Sequence, residues 1–256
     1  MAGLASWWRA RPHPLFIPLW ITEYPSPLGD NWPARQDRRA LLAGQYFTHP
    51  LLTSPGIDQR LLRRTLSELP GRRQHIVVYL SAYALTNDEG RVELLAAGVR
   101  PEETGGRLPL AEVLKAIKDS PADGKLLILD IFWSIASPAS GVMTNDAAAR
   151  VQAELAAVPD PSRIVITSCG PGEVAGASAA LGRSVFGYYM ELGLRGYADT
   201  ASPTRDGRVT AHELGRFVQA RVARWARENC LRSQTPQLLG EGHDLDLTLV
   251  PHGVPE

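Results

Sequence analysis

Three side chains with usable chemistry stand at the ends of apolar runs. Tyr83 follows HIVVYLSA, Asp130 ends GKLLILD, and Cys169 follows RIVITS. An ionised thiol is a nucleophile, a carboxylate holds cations or moves protons, and a phenol titrates near ~10, far above the ~7 suited to acid–base work at neutral pH. Cys169 precedes Gly170-Pro171-Gly172, a turn that would expose the thiol as a nucleophile. The competing reading makes it a small buried hydrophobe, the usual state of a free cysteine. No histidine stands near it in sequence: His75 begins a separate apolar run and His212 lies in a late helical stretch. Cys230, at the end of that stretch, is a weaker candidate.

Other chemistries fall away on spacing. Ser202 to Glu213 has the length of a calcium loop, with Gly207 sixth and Glu213 twelfth, but Ser202 and Thr204 stand where carboxylates are needed. The run Gly170 to Gly176 has neither the lysine nor the strand-to-helix context of a phosphate-binding loop. No Cys/His set has zinc spacing. The sequence therefore predicts no cofactor and no metal.

Positioning these residues requires buried strands. LFIPLWI (15–21), IVVYL (76–80), KLLILDI (125–131) and RIVITS (163–168) are continuous apolar runs, the signature of strands covered on both faces. Helical spacing marks Asp58 to Leu69, Leu110 to Lys118, Ala147 to Ala157 and Ser184 to Leu194, and Arg35 to Tyr46 is helix-permissive. Thr210-Ala-His-Glu213 is a capping box opening a helix to Asn229. VELLAAG reads as a hairpin or edge strand, LDLTLV (245–250) as a closing strand, and Ala198 to Arg208 as a flexible linker. Strands alternating with helices imply a mostly parallel sheet covered on both faces. In such sheets functional residues collect at the carboxyl ends of the strands, where Tyr83, Phe132 and Ser168-Cys169-Gly170 all fall.

Composition narrows the function. Lys+Arg and Asp+Glu both number 27, which removes the basic field that nucleic-acid binding needs. No apolar run reaches the ~18 residues of a membrane span. Two cysteines make no disulfide framework and point to a reducing cytoplasm. Leu15 to Ile21 follows Arg9 and Arg11 but is broken by Pro18 and followed by Glu23, so it reads as a strand and not a signal peptide. The expected organisation is one domain over 1–256, with an arm (1–14) and a core (15–250). Trp7, Trp8, Trp20 and Trp32 either pack the arm down or form an exposed docking patch.

Three blocks carry a family resemblance: HIVVYLSAYAL (75–85), KLLILDIFWS (125–134), and a long region with ITSCGPGEVAG (166–176), GRSVFGYYMELGLRGYAD (182–199), DGRVTAHELGRFVQARV (206–222) and QTPQLLG (234–240). In this order they resemble the caspase-like peptidase domain, nearest its bacterial metacaspase-like branch. The resemblance implies a three-layer α/β/α sandwich. It also places Tyr83 where the family reads Ser-Ala-His-Gly-Leu and Phe132 where it reads Asp-Ala-Cys-His-Ser. The two positions stand about 50 residues apart, as the family's histidine and cysteine do.

Family chemistry passes through a thioester, with thiolate attack and a proton given to the leaving amine. Phe132 offers no nucleophile and Tyr83 no suitable acid. The resemblance thus implies a pseudo-peptidase acting by binding, as a scaffold or regulator of a protein or peptide partner, an active relative among the candidates. It would be a monomer or a homodimer paired through a sheet edge, or one module of a longer signalling protein. Tyr83, Phe132 and Trp133 are expected to stack in the former cleft, adding ~1 kcal/mol beyond burial. Asp130 matches the family aspartate that receives a basic side chain; the competing role is a cap or hydrogen bond to the following loop. The rival function is a cysteine endopeptidase using Cys169.

Overall fold

A computed structural model describes residues 14–26, 28–44, 57–69, 75–131, 133, 146–230 and 232–249. Phe132, Trp7 and Trp8 lie outside the described residues. Four of the apolar runs form a parallel array: β1 (Leu15–Trp20), β2 (His75–Ser81), β6 (Gly124–Asp130) and β7 (Arg163–Thr167). The sheet order is β1-β2-β6-β7-β11, and β11 (Gln237–Leu239) joins antiparallel to β7. All seven residues of β6 are buried, as its unbroken apolar run requires.

Among the described residues, six helices of eight or more residues cover the two faces. On one, α2 (Gln59–Ser67), α3 (Leu110–Asp119) and α4 (Ala147–Ala157) pack Leu62, Val113 and Val151 against Leu80, Leu127 and Leu129. On the other, α1 (Trp32–Ala43), α5 (Val185–Leu192) and α6 (Ala211–Asn229) pack Leu41, Phe186 and Leu214 against Tyr79 and Ile128. Their starts are encoded locally. Asn31 accepts from the Ala34 amide, Asp58 from Leu61 and Ser184 from Gly187. The capping box closes both ways: the Glu213 amide donates to Thr210 Oγ1 (3.3 Å) and the Thr210 amide to Glu213 Oε2 (3.0 Å). Among the described residues no helix is long and apolar enough to cross a membrane.

The two ends of β6 differ. Near its start, buried Lys125 donates from Nζ to the Lys118 carbonyl (2.8 Å) and to Asp160 Oδ2 (3.2 Å). At its end stands Asp130, fully buried and directly across from Ser81 in register.

Several expectations need correction. VELL is the middle strand β4 (Val92–Leu95) of a small antiparallel sheet between β3 (Ala84–Thr86) and β5 (Arg107–Pro109). The strand expected at 245–250 is present as β12 (Asp246–Leu249), which pairs with β10 (Arg208–Thr210), and the fifth strand of the central sheet is β11. The stretch from Ala198 begins as structure and not as linker. A kink at Gly196, whose φ of 115° lies in the left-handed region, joins the preceding helix to a short one whose Ala198 and Asp199 are buried.

Candidate functional site

The pleat places three oxygen-bearing side chains together. Val77, Tyr79 and Ser81 alternate onto one face of β2, and Leu126, Ile128 and Asp130 onto the same face of β6. Ile164 and Ile166 follow on β7, and the Ser168 amide donates to the Leu129 carbonyl (2.9 Å). Ser81, Asp130 and Ser168 therefore line up across the carboxyl ends of three neighbouring strands, all buried.

Asp130 is the least compensated of them. Neither of its oxygens makes a well-formed hydrogen bond among the described residues, nor do the hydroxyls of Ser81, Ser168 and Tyr79. Burial pushes the carboxyl up to about 8; the Asp37 carboxylate adds to the rise, and the Ser168 hydroxyl opposes it without reaching full hydrogen-bond geometry. Expectation gave Asp130 either a cationic guest or a hydrogen bond to the next loop. Its backbone does the second job: Trp133 Nε1 donates to the Asp130 carbonyl (3.1 Å), and Trp133 bridges to Ala175. Among the described residues the carboxyl itself makes no such bond.

Behind Asp130 lies an ion network that sequence reasoning missed. Arg183, from the hairpin strand β9 (Arg183–Ser184), donates from Nε to Asp37 Oδ1 (2.6 Å), from Nη1 to Glu191 Oε2 (3.0 Å) and from Nη2 to the Gly187 carbonyl (2.9 Å). One guanidinium is shared by two buried carboxylates, Glu191 also accepts from Arg195 Nε (2.7 Å), and among the described residues Asp37 Oδ2 makes no well-formed hydrogen bond, although Ser184 opposes the rise of its pKa. Burial raises Asp37 to about 6 despite Arg183. Only glycine fits at 187, where an added Cβ would stand 2.2 Å from the Asp37 carboxyl carbon.

Tyr83 sits just past β2, half-buried, with its phenol pushed above the ordinary range by burial. The Phe132 half of the expected stack lies outside the described residues; the Tyr83 ring packs edge-on against Tyr24, centroids 4.8 Å apart at 69°. The Tyr24 hydroxyl accepts from the Tyr83 amide (3.1 Å) and donates to the Leu95 carbonyl (3.1 Å), while the Leu95 amide donates to the Tyr83 carbonyl (2.9 Å). Tyr83 is thereby fixed between the central and small sheets. Nothing in the local sequence around Tyr24 signals this role.

Cys169 is not exposed, contrary to the turn-based expectation. It is 2% accessible, and its thiol donates to the Glu173 carbonyl (3.4 Å). Burial, with the Glu173 and Asp130 carboxylates, raises its pKa far above that of an ordinary thiol. The glycine-rich turn is folded down by two side chains. Glu173 accepts from the amides of Gly170 (2.9 Å) and Thr235 (2.6 Å), and Gln234 links the Ser168 carbonyl to the Gly176 amide. A thiol in this state is a poor nucleophile.

The calcium-like loop has its key carboxylate engaged: Glu213 serves the capping box and accepts from Thr204 Oγ1 (3.0 Å). Among the described residues no group of three or more His, Cys, Asp or Glu side chains is arranged to hold a metal. No protein-family model and no curated protein matches this sequence.

Chemically, the strand ends offer hydrogen-bonding oxygens and a proton-holding carboxyl, but no paired nucleophile and base among the described residues.

Proposed function

We propose that this chain is a non-catalytic, caspase-like domain of the metacaspase-like branch that works by binding a protein or peptide partner in the cytoplasm. The observation that carries this reading is Tyr83. It stands at the carboxyl end of β2, beside β6, with its ring packed on Tyr24 and its phenol raised by burial. A side chain so held serves neither as acid nor base at neutral pH. Three further points support the reading. The first two blocks supply neighbouring parallel strands, His75–Ser81 and Gly124–Asp130, with Ser81 paired with Asp130, in keeping with the resemblance. Helices cover both sheet faces. Both cysteines are free thiols. We further propose that the partner presents a basic side chain to the oxygens at Ser81, Asp130 and Ser168.

The test is hydrolysis of fluorogenic peptides carrying Arg, Lys or Asp before the scissile bond, with and without calcium, by the native protein and Cys169→Ala. The expected result is no turnover above buffer for either protein. Turnover that vanishes in Cys169→Ala would overturn the reading and make the thiol after β7 a working nucleophile.

A further inference from the structure

Each of α2, α3 and α4 carries an exposed cation paired with a carboxylate four positions away: Arg64 with Glu68, Lys115 with Asp119, and Arg150 with Asp146. The outer face of α6 lacks that pairing at two of its arginines. Arg216 and Arg221 are exposed, and neither pairs with a carboxylate among the described residues. Four positions to either side of them stand His212, Ala220, Phe217 and Trp225. Arg224, on the same stripe, donates from Nε to Glu228 Oε1 (2.8 Å), an exposed pair of the kind that holds weakly.

Arginines on a helix surface are ordinarily just solvated, but these border a groove of about 360 Å³ between α6 and the segment that follows Gly196. Its apolar lining is Ala198, Ala201, Pro203, Phe217 and Ala220. Its charged lining sets Arg216, Arg221 and Arg224 against one carboxylate, Glu213. Glu213 is already committed to the capping box and to Thr204 Oγ1. The chain as a whole is balanced at 27 cations and 27 anions, so the excess here is a local field. The Arg221 guanidinium lies over the Phe217 ring, 5.4 Å from its centroid, which holds the cation at the groove while its donors stay available.

We propose that this groove docks an acidic peptide segment of a partner protein: carboxylates meet Arg216 and Arg221, and an apolar side chain rests against Phe217 and Ala220. The planar guanidinium fork matches a carboxylate with two parallel hydrogen bonds. From Glu213 to Arg224 the helix rises roughly 16 Å, the span of about five extended residues. The unpaired cations set the charge of the occupant, and the apolar lining calls for side chains between its charges. Nucleic acid would need a wider cationic field and stacking aromatics, whereas the apolar lining here is mostly alanine and proline. A membrane surface would need a projecting apolar face, whereas Phe217 is buried at 6% exposure. The groove goes beyond the binding reading above: it lies on α6, takes the opposite charge, and does not depend on Ser81, Asp130 or Ser168.

The probe is a fluorescein-labelled hexapeptide alternating glutamate with leucine, followed by anisotropy at 50 and 300 mM salt. Amide NMR of the native protein, titrated with the same peptide N-acetylated in place of the dye, reports where it lands and needs no variant. The expected results are saturable binding that weakens several-fold at the higher salt, and shift changes concentrated at 198–203 and 213–224. Arg216→Ala combined with Arg221→Ala should weaken binding at least tenfold. Ala220→Glu, at an exposed helix position, places a carboxylate four positions from both Arg216 and Arg224 and should weaken binding in the same way. Circular dichroism checks that these variants keep the fold. A peptide with lysine in place of glutamate should not bind, and one with serine in place of leucine should bind at least fivefold more weakly. Shift changes elsewhere, binding unmoved by the folded variants, equal binding of the altered peptides, or equally tight binding of oligothymidylate or phosphatidylglycerol vesicles overturns the docking site. So does no binding up to millimolar peptide. None of these outcomes touches the strand-end reading, because the probe carries no basic side chain.

Discussion

The two ends of β6 carry one buried charge each and treat it in opposite ways. Lys125 meets a carbonyl and a carboxylate, and Asp160 is itself held by the amide and hydroxyl of Ser162 (3.1 and 2.7 Å). Although burial opposes it, these contacts keep the Asp160 carboxyl below the ordinary range. Asp130 meets no such set, and its carboxyl is raised. The amino end is a finished structural junction. The carboxyl end keeps an unfilled demand for donors, which a purely structural site would be expected to have satisfied.

Removing one partner should separate the two ends most sharply at Lys125. Lys125→Ala leaves Asp160 buried without its cation and should lower stability by about 3 kcal/mol at pH 7 in urea denaturation. The carboxyl of Asp160 is depressed in the folded state, so this contribution exists above its unfolded pKa and fades as pH falls through its folded one. The loss should therefore shrink in acid. A loss that stays constant down to pH 2 would mean the lysine acts through packing alone.

A smaller effect of opposite sign is expected at the other end. Asp130 and Asp37 have raised folded pKa values, about 8 and about 6. Their contribution to stability is complete below the unfolded pKa near 3.8 and is lost as pH rises through 6 and then 8. Asp130→Asn should raise stability least at pH 5 and by at least about 1–2 kcal/mol more at pH 8.5. Melting curves from pH 5 to 9 check this; equal destabilisation at both pH values would make Asp130 a structural group like Lys125.

The smallest effect belongs to Tyr24→Phe. It removes the hydroxyl between Tyr83 and Leu95 while keeping the ring, and should cost about 1 kcal/mol in urea denaturation. No change in stability would mean that the ring contact alone fixes Tyr83.

Much of the frame was legible because it is local. Unbroken apolar runs marked β2, β6 and β7, and Thr210 with Glu213 marked the start of α6. What escaped depends on distant partners. Asp37 sits in a charged stretch that reads as a solvated helix face, and Arg183, which buries it, lies 146 positions away. Tyr24 is 59 positions from the amide it serves. Strand β11 is three residues long and too short to show periodicity. The exposure expected of Cys169 followed from the turn Gly170-Pro171-Gly172, but Glu173 and Gln234 close that turn by tying it to itself and to the segment before β11.

The Asp37–Arg183 contact also bears on how the chain is made. During synthesis α1 emerges long before β9, and until Arg183 has left the ribosome Asp37 has no cation to bury against. The apolar face of α2, α3 and α4 can assemble from earlier segments, whereas the face carrying the charge network must wait for the later ones. A nascent chain stopped before residue 183 would present the uncovered sides of Tyr79 and Ile128 to solvent, and such a chain is a ready client for chaperones.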